Sequence, residues 1–587
     1  SSEQVIIWGR TLARILATLH DHGIIYRDLK SANIMVAPDG RLRLIDFDIV
    51  QEAGTGMALW GGGTRGYMSP QHKAGAPASV SDDVYSLGAV LYLAATGVEP
   101  ASSPHPLTLL ERPIIVLNPA IDHALAEVIA SCLNHDPAHR YQNMAEADTA
   151  LAAIHRPHAT PAPDLGCESP VAGQDPATKD YFHGLARRLG DSLARAAQPV
   201  PDGTGMAWTS LHNLAQGVQA RDLNFGGAGA LLALAEAVSV FGDPRHLTIA
   251  AEGARWLRAA PSLGVQPLPG LYVGEAGIGA GLLRAGQALA DEDVIAAALR
   301  KGRLVGSLPH RSPDYFNGTA GRLRFHLLLW DETGEQEQLS FAIGAGEQLL
   351  ATVDRTPCEG RGAQWLIPEG YGDLSGQAQL GYAHGLAGIA DSLLDLYETT
   401  GEPRWRECAR QAAYTLERHA ASRAFVSGAP CLDWPIRAGG PFFGPFWCHG
   451  AAGIGQFFLH AARLDILPGA MEIALGAARG VARGSRHAGP TQCHGLTGNI
   501  EFLLDVYQAS GDRAYLSEAH SLATLLAAFA SERDGQLLWP SESPMIFTPD
   551  YLVGYAGVLP CLLRLADPER RPRQLSRAGF RYAIGAR

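Results

Sequence analysis

The chain has 587 residues, more than one hydrophobic core normally serves, so its length predicts two or three domains. Hydrophobic residues make up 47% of the sequence and charged residues 18%, as is typical of a globular protein. The net charge of −12 and the lack of a dense Lys/Arg run exclude a large basic surface, so we expect neither nucleic acid nor anionic lipid as a partner.

The sequence carries no signal for a membrane or for export. No apolar run reaches the roughly 18 residues that span a bilayer, and the first residues lack the basic-then-apolar order of a secretory signal. The eight cysteines are sparse and irregularly spaced, unlike a disulfide framework. We therefore expect a cytoplasmic protein without a membrane partner, in which paired Cys and His residues indicate metal binding or catalysis.

Residues 1 to about 155 contain side chains suited to phosphoryl transfer. An amphipathic helix is predicted over residues 8–22, and after it come Asp28, Asn33 five residues later, and Asp46 at the end of a predicted strand. Phosphoryl transfer needs a carboxylate that orients the attacking hydroxyl and oxygen ligands that hold magnesium over the phosphates. These three residues supply both kinds of group.

The same stretch resembles the C-lobe of protein kinases. Residues 23–36 resemble the catalytic loop, and 46–48 resemble the magnesium-binding Asp-Phe-Gly motif, with Asp48 in place of Gly. Further along the chain, residues 63–71 resemble the end of the activation segment, 81–88 the start of the large central helix, and 136–141 the late helix that closes the lobe. These motifs in the family's order are a far more specific signal than any one of them.

The kinase resemblance implies roles for individual residues. Asp28 would be the catalytic base, and Asn33 and Asp46 would hold Mg²⁺ for ATP. Tyr26 and Gln71 stand where the family usually has His and Glu.

A kinase also grips ATP with a glycine-rich loop and a strand lysine that precede these motifs, whereas this sequence opens at the first helix of the C-lobe. We expect residues 1–154 to be a kinase-like C-lobe of a longer protein. The alternative is a relic lobe that serves only for docking.

Residues 155–175 are rich in Pro and Ala without an apolar period, which predicts a linker between residues 1–154 and a second domain over 176–587. The second domain is strongly helical in pattern and contains seven copies of Gly-x-x-Gly opening an apolar helix. The copies are Gly226/Gly229, Gly274/Gly277, Gly318/Gly321, Gly385/Gly388, Gly450/Gly453, Gly495/Gly498 and Gly554/Gly557.

The spacing of these copies, 44 to 67 residues, leaves room for one outer helix, one inner helix and two loops in each repeat. The predicted fold class is therefore mainly α: a partial kinase-like C-lobe followed by an α/α toroid of seven helical hairpins. The starts of the inner helices would gather at one end of the toroid axis, which we call the mouth.

Four Cys and His residues sit at the same point of their repeats, with each Cys two residues and each His one residue before the first glycine. They are His384, Cys448, Cys493 and His494, and the repeat geometry predicts that they meet at the mouth. Cys and His are favoured zinc ligands, and three protein ligands with an open position are typical of catalytic zinc. A single buried Cys or His would more often be an ordinary core residue. Two Cys-His pairs in register favour zinc.

At these residues the domain resembles the lanthionine synthetase C-like cyclases, whose toroid carries a Cys/Cys/His zinc site. The resemblance covers about residues 176–587 and implies that Cys448, Cys493 and His494 are the zinc ligands. It also implies that His384, in His-Gly-Leu-Ala-Gly, and Asp314, four residues before Gly318, are active-site residues.

Two positions depart from the bacterial cyclases of this family. Gly444 stands where they often carry an Arg. His449 replaces a frequent Tyr and could serve as an acid/base group or as a residue that contacts and orients the zinc ligands. The division of proton transfer among His384, His449 and Asp314 stays open at this point.

Joined together, the two halves resemble the C-terminal portion of class IV lanthipeptide synthetases. This resemblance implies that the kinase phosphorylates Ser/Thr of a precursor peptide carrying a leader, that a lyase eliminates phosphate, and that zinc-activated Cys thiols add to dehydroalanine or dehydrobutyrine. A separate N-terminal kinase and lyase portion and an exporter are further partners that it suggests.

Three other functions remain open from the sequence. They are a signalling Ser/Thr kinase with a regulatory or peptide-docking toroid, a metal-free synthetase like those of class III, and a sugar-processing toroid. The last would need a carboxylate pair in the mouth, and Asp314 has no obvious partner there.

Overall fold

The computed structural model divides into two compact units, Ser1–Cys167 and Glu168–Arg587. The predicted linker over 155–175 lies outside the described residues, as does Asp48 of the predicted magnesium-binding motif. The described residues are 2–37, 41–47, 49–52, 64, 66–98, 100, 114–118, 121–154, 176–259, 267–426, 429–543 and 545–577.

In the first unit, the residues that the structure describes form helices and two small antiparallel pairs of strands. The helices are α1 (Ser2–Asp21), α2 (Pro70–Lys73), α3 (Val80–Thr96), α4 (Ile114–Leu117), α5 (His123–Cys132) and α6 (Met144–Ala153). The strands are β1 (Ile24–Ile25), β2 (Ile34–Val36), β3 (Leu42–Leu44) and β4 (Gln51–Glu52). Strand β1 pairs with β4, and β2 pairs with β3. The segment that carries Asp28 and Asn33 connects β1 to β2, so each of its ends is held by a different strand pair.

Helix α3 forms the centre of the first unit. A capping box between Ser79 and Asp82 starts it, and Gly97, in the left-handed conformation at φ 75°, ends it. Most of its residues are buried, and it packs against α1, α5 and α6. This rigid helix supports the loop that carries the predicted phosphotransfer residues.

The described residues of the second unit form fourteen helices and three short strand pairs. The helices are α7 (Pro176–Ala196), α8 (Gly227–Phe241), α9 (Pro244–Ala259), α10 (Glu275–Leu289), α11 (Glu292–Ser307), α12 (Thr319–Thr333), α13 (Gln336–Thr352), α14 (Leu386–Thr400), α15 (Pro403–His419), α16 (Ala451–Arg463), α17 (Ala470–Gly484), α18 (Leu496–Ser510), α19 (Arg513–Ala528) and α20 (Val558–Ala566). The strands are β5 (Gln198–Pro199), β6 (Met206–Ala207), β7 (Ala421–Val426), β8 (Ala429–Asp433), β9 (Ser531–Arg533) and β10 (Gln536–Leu538).

These helices form a closed ring of seven hairpins. Each even-numbered helix from α8 to α18 packs against the helix that follows it, and α20 packs against α7. The even-numbered helices also contact one another in order, and α20 returns to α8, so they form the inner wall. The predicted α/α toroid of seven helical hairpins is therefore confirmed.

The repeated glycines are required by close backbone contact. A Cβ atom at the second glycine of every pair would lie 2.0–2.2 Å from the backbone oxygen six residues earlier, so no side chain fits. The first glycine of the first six pairs is the N-cap of its inner helix. The seventh pair differs, because α20 begins only after Gly557, one turn later than the repeat predicts.

We call the last few residues up to the first glycine of each pair a loop, and we number these loops 1 to 7 in chain order. In each loop, the residue two positions before that glycine takes part in backbone hydrogen bonds to the neighbouring loops. Around the ring these bonds are Asn224 N to Tyr272 O (3.0 Å), Tyr272 N to Phe316 O (2.9 Å), Phe316 N to Ala383 O (2.9 Å), Ala383 N to Cys448 O (3.1 Å), Cys493 N to Leu552 O (2.9 Å) and Tyr551 N to Asn224 O (3.2 Å). The seven loops therefore meet at one end of the toroid, the mouth.

Buried ion pairs cross the inner wall below the mouth. Arg564 of α20 is 1% exposed and pairs with Glu501 at 2.6 Å and Asp505 at 2.5 Å, both on α18. A buried charge needs such partners, because leaving it unpaired costs several kcal/mol. These contacts fix α20 against its neighbour in the ring.

The segment 570–577 runs across the inner helices. The Tyr551 hydroxyl donates to Gln574 Oε1 at 2.7 Å, Arg284 donates to the Ser576 carbonyl at 3.1 Å, and Arg577 pairs with Asp331 at 2.7 Å.

Among the residues that the structure describes, no helix combines the length and hydrophobicity that crossing a bilayer requires.

Candidate functional site

In the first unit, the loop after β1 holds Asp28 and Asn33 together. Asn33 Nδ2 donates to Asp28 Oδ2 at 2.9 Å and to the Asp28 carbonyl at 3.0 Å. Lys30 Nζ donates to Asp28 Oδ2 at 2.8 Å, and Thr64 Oγ1 donates to Oδ1 at 3.2 Å. These contacts fix the orientation of the Asp28 carboxylate. A fixed orientation is what a carboxylate needs in order to position an attacking hydroxyl.

The fully buried Asp83 of α3 holds the backbone of this loop. Its Oδ2 accepts from Tyr26 N at 2.8 Å and its Oδ1 from Arg27 N at 2.7 Å, and His20 Nε2 lies 2.8 Å from Oδ2. Arg27 has φ 65° and Asp46 has φ 66°, a conformation that costs energy outside glycine. Such strain is typical of functional loops whose surroundings enforce their shape.

Tyr26 links the catalytic loop to the segment of Asp46. Burial raises the pKa of Tyr26 to about 12, so its hydroxyl stays protonated and donates to the Ile45 carbonyl at 2.6 Å. Its ring meets Phe47 edge to face at 5.3 Å.

Gln71, which stands where kinases usually have Glu, keeps a contact inside the first unit. Its Oε1 accepts from Arg140 Nη2 at 2.7 Å. Arg140 also donates through Nε to the Asn134 carbonyl at 2.6 Å and through Nη1 to the Ser81 carbonyl at 3.0 Å. The neutral side chain therefore still ties α2 to the end of the unit.

In the second unit, loops 5 and 6 bring Cys448, Cys493 and His494 together. One ligand atom from each lies within 4.8 Å of the others, and Cys493 Sγ is 3.5 Å from His494 Nε2. Both thiols are buried, at 1% and 5% exposure. Because zinc–sulfur and zinc–nitrogen bonds are about 2.3 and 2.0–2.1 Å long, three donors at this separation fit around one zinc ion.

The surroundings of these residues also suit a cation. A hydrogen bond with Cys448 and burial raise the pKa of the Cys493 thiol well above its usual value. Two crowded, buried thiols disfavour the thiolate form, and a divalent cation reverses that preference. Two sulfurs and one imidazole nitrogen are also the donors that zinc prefers.

Glu542 orients the imidazole of His494. Its Oε1 lies 2.5 Å from His494 Nδ1, which leaves Nε2 directed at Cys493. Burial lowers the pKa of His494, but Cys493 and Glu542 together outweigh it and raise the pKa to about 10. A carboxylate behind a ligating His is a common way to fix the tautomer and the ring orientation.

His384 and Asp314 form a second pair at the mouth. His384 Nδ1 lies 3.3 Å from Asp314 Oδ2, and Asp314 is fully buried. The Asp314 carboxylate also accepts from Ser312 Oγ at 2.9 Å and from Asn317 N at 2.6 Å, so it is held in place. A carboxylate at this position favours the tautomer of His384 that carries its hydrogen on Nδ1.

His449 lies between this pair and the thiol cluster. Its ring stacks on His384 at 6.0 Å between centroids and meets Phe443 edge-on at 6.0 Å, while Phe443 meets His494 at 5.6 Å. Burial lowers the pKa of His449 to about 4, which keeps it neutral near pH 7. The three imidazoles therefore line one continuous part of the mouth.

Exposed apolar side chains lie in the segments that lead to the inner helices. In the described part of the second unit, the exposed large hydrophobic residues other than Tyr181 all lie in segments that precede inner helices. We call them the apolar rim: Leu211, Leu214, Val218, Leu268, Leu366, Phe443 and Met545. Of these residues, Phe443 contacts the imidazoles of the site.

A second group of possible metal ligands, Asp395, Glu398 and His460, is explained by ion pairs. His460 Nε2 lies 3.1 Å from Glu398, and Asp395 pairs with Arg324 at 2.5 Å. Glu398 also pairs with Arg463 at 2.6 Å. The group is part of the charged network of the inner wall.

Sequence reasoning missed Glu542 and Phe443 at the mouth. Both lie in segments that precede the first glycine of a repeat, Glu542 twelve residues before Gly554 and Phe443 seven before Gly450. The repeat pattern already predicts that such segments reach the mouth. That signal could have identified them as neighbours of the site.

Comparison with known proteins agrees with this architecture. Residues 217–575, more than half of the chain, match the family described as "Lanthionine synthetase C-like protein". The chain belongs to this family. Residues 1–152 match the protein kinase domain, so the chain joins a protein kinase domain to a lanthionine synthetase C-like domain.

Individual relatives match one part or the other. The serine/threonine-protein kinase PknA of Mycobacterium tuberculosis is 31% identical over 206 residues, which are 32% of this chain and 46% of the relative. The kinase PknB of Mycolicibacterium smegmatis is 35% identical over 161 residues, or 25% of each protein. The chain thus spans between a quarter and about half of the curated relatives it matches. The solved structure of nisin cyclase aligns with TM-score 0.45 and 16% identity over 60% of this chain and 89% of that one.

Proposed function

We propose that the chain is part of a class IV lanthipeptide synthetase and that its lanthionine synthetase C-like domain forms thioether rings in a dehydrated precursor peptide. The observation that carries this proposal is the grouping of Cys448, Cys493 and His494 beside the His384–Asp314 pair at one mouth. Class III synthetases share the domain order and lack the Cys/Cys/His set. The presence of that set together with a kinase domain favours class IV.

Cys448, Cys493 and His494 would hold a zinc ion, and Glu542 would keep His494 in the required tautomer. When bound there, zinc supplies the positive charge that turns a substrate Cys thiol into a thiolate nucleophile near neutral pH. With three protein ligands, the set corresponds to the open coordination of catalytic zinc sites.

His384 would deliver the proton that completes ring formation. The substrate sulfur bonds to the β-carbon of dehydroalanine or dehydrobutyrine, and the electron pair of the carbon–carbon double bond moves toward the carbonyl oxygen as an enolate. Nε2 of His384 would first accept the proton that the substrate thiol gives up and would then donate it to the α-carbon, while Asp314 stays 3.3 Å from Nδ1. The thiol proton lost and the α-carbon proton gained balance, so the reaction is an addition without a leaving group.

A peptide suits the mouth as a substrate. The apolar rim would offer exposed hydrophobic residues, in the segments that lead to the inner helices, to the apolar side chains of an extended peptide. Phe443 is 51% exposed and touches both His449 and His494, so it would contact residues next to the reacting Cys.

The kinase domain would act before the cyclase. Asp28, already fixed by Asn33 and Lys30, would orient a Ser/Thr hydroxyl of the precursor, and Asn33 and Asp46 would hold Mg²⁺ with ATP. Elimination of the phosphate by a lyase would supply the dehydrated residues. The proposal places the protein in the cytoplasm with a leader-bearing precursor peptide as its partner.

The test begins with metal content and continues with ring formation. Elemental analysis after dialysis should find about one zinc per chain, lost in Cys493→Ala. The wild-type chain, given a chemically dehydrated Cys-containing peptide, should consume free thiols, and Cys493→Ala should not. A wild-type chain that closes rings without bound metal would instead support a metal-free, class III-like cyclase. Zinc binding without any thiol addition would support a docking or regulatory toroid.

A further inference from the structure

The ring of backbone hydrogen bonds at the mouth has one open junction. In five of the seven junctions, the residue two positions before the first glycine donates its N–H to the carbonyl of the equivalent residue in the next loop, and Tyr551 makes the bond from loop 7 to loop 1. By this rule Cys448 N should donate to Cys493 O. Among the described residues, no backbone hydrogen bond joins loop 5 to loop 6.

The open junction coincides with the thiol cluster. Cys448 and Cys493 are the residues that occupy the ring position in loops 5 and 6, and their sulfurs lie within 4.8 Å of each other. Both cysteines still take part in the ring on their outer sides, since Cys448 O accepts from Ala383 N and Cys493 N donates to Leu552 O. Ligand side chains therefore face each other where the backbone bond is missing.

We propose that the metal has a second, structural function, an inference that rests on the proposed zinc site. The metal connects loop 5 to loop 6 and so closes the junction that the ring of backbone hydrogen bonds leaves open. The inner helices α16 and α18, which follow these two loops, pack directly against each other. The toroid itself is thus held without the metal, and the effect of the metal is confined to the mouth. His494 extends the connection, because its contact with Glu542 reaches the segment that leads to loop 7.

The connection of loop 5 to loop 6 by the metal would also affect the His384–Asp314 pair. Ala383, whose N–H bonds to Cys448 O, directly precedes His384. If loop 5 moves away from loop 6, the position of His384 relative to the thiol cluster changes as well. Fastening the junction therefore keeps the proton donor and the nucleophile site at a fixed separation, which addition chemistry requires.

Hydrogen–deuterium exchange on the full chain tests the proposal. The zinc-loaded protein is compared with the same protein after removal of metal by a chelator, and elemental analysis confirms both states. Amides beside the open junction, those of Ala383 and Cys493, should exchange about tenfold faster without metal, because local opening exposes them. Amides of Tyr272 and Phe316, on the far side of the ring, are the internal control and should change little.

The Cys493→Ala variant in zinc-containing buffer provides the second comparison. It should exchange like the metal-free wild type at Ala383 while keeping the wild-type pattern in the inner helices, which shows that it is folded. Bound zinc with unchanged exchange at Ala383 and Cys493 would overturn the structural function and leave the proposed catalytic site standing. A chain that binds no zinc would overturn both.

Discussion

The contact between Glu542 and His494 gives a quantitative prediction for zinc affinity. Replacing Glu542 by Ala removes a 2.5 Å contact to Nδ1, so His494 loses the group that fixes its tautomer and its orientation. A hydrogen bond to a charged group contributes about 1.5–3 kcal/mol. The Glu542 side chain is 39% exposed, so water screens the interaction and the low end applies. About 1.4 kcal/mol corresponds to a tenfold weaker affinity for zinc.

The assay is a competition titration of zinc between the protein and a chromogenic chelator. Glu542→Gln keeps a neutral hydrogen-bond acceptor, so its affinity should lie between those of the wild type and Glu542→Ala. Glu532→Ala removes another exposed carboxylate, one paired with Arg188 instead of His494, and serves as the matched control. Equal zinc affinity in the wild type and Glu542→Ala would refute the reasoning, as would an equal loss in Glu532→Ala.

Three further predictions concern catalysis and stability. His384→Asn should slow ring closure about 100-fold or more with bound zinc unchanged, measured by mass spectrometry of thiol-alkylated peptide; an unchanged rate would exclude His384 as proton donor. Arg564→Met leaves Arg573 as the remaining cation beside the buried Glu501 and Asp505 and should cost about 3 kcal/mol in the denaturant-derived free energy of unfolding, so an unshifted midpoint would contradict the assigned ion pairs. Burial raises the pKa of Glu398, but hydrogen bonds from His460 and Arg463 outweigh it and lower the pKa to about 2 from its ordinary 4.5. The stability from this group is complete above pH 4.5 and is lost as the pH falls toward 2, so acid unfolding of Glu398→Gln should show a smaller loss over that range.

The sequence predicted the toroid because one physical requirement recurs seven times. The second glycine of each pair lies against a backbone oxygen, as Gly453 does against the Trp447 carbonyl, so the residue type reveals the contact. The late start of α20 was not predictable from this pattern, because Gly554 meets the same close contact but helical geometry begins only after Gly557.

The candidate site was predictable where its residues follow the repeat. Cys448 and Cys493 share one repeat position, and the ring of backbone hydrogen bonds brings equivalent positions together. Glu542 belongs to a segment outside that register, and its side chain reaches His494 only through the path of the chain after β10. The repeat indicates that the segment before Gly554 reaches the mouth, but it does not indicate which side chain of that segment meets His494.

The pairing of α7 with α20 has a consequence for how the toroid is made. These helices are separated by more than 350 residues, so the last hairpin of the ring cannot form until nearly all of the domain has left the ribosome. Until then, the surfaces of α8 and α18 that α20 will cover stay exposed, which favours aggregation of nascent chains. A circular permutant that joins α20 directly to α7 and opens the chain in another outer loop would convert this long-range closure into a local one and should shorten the vulnerable period.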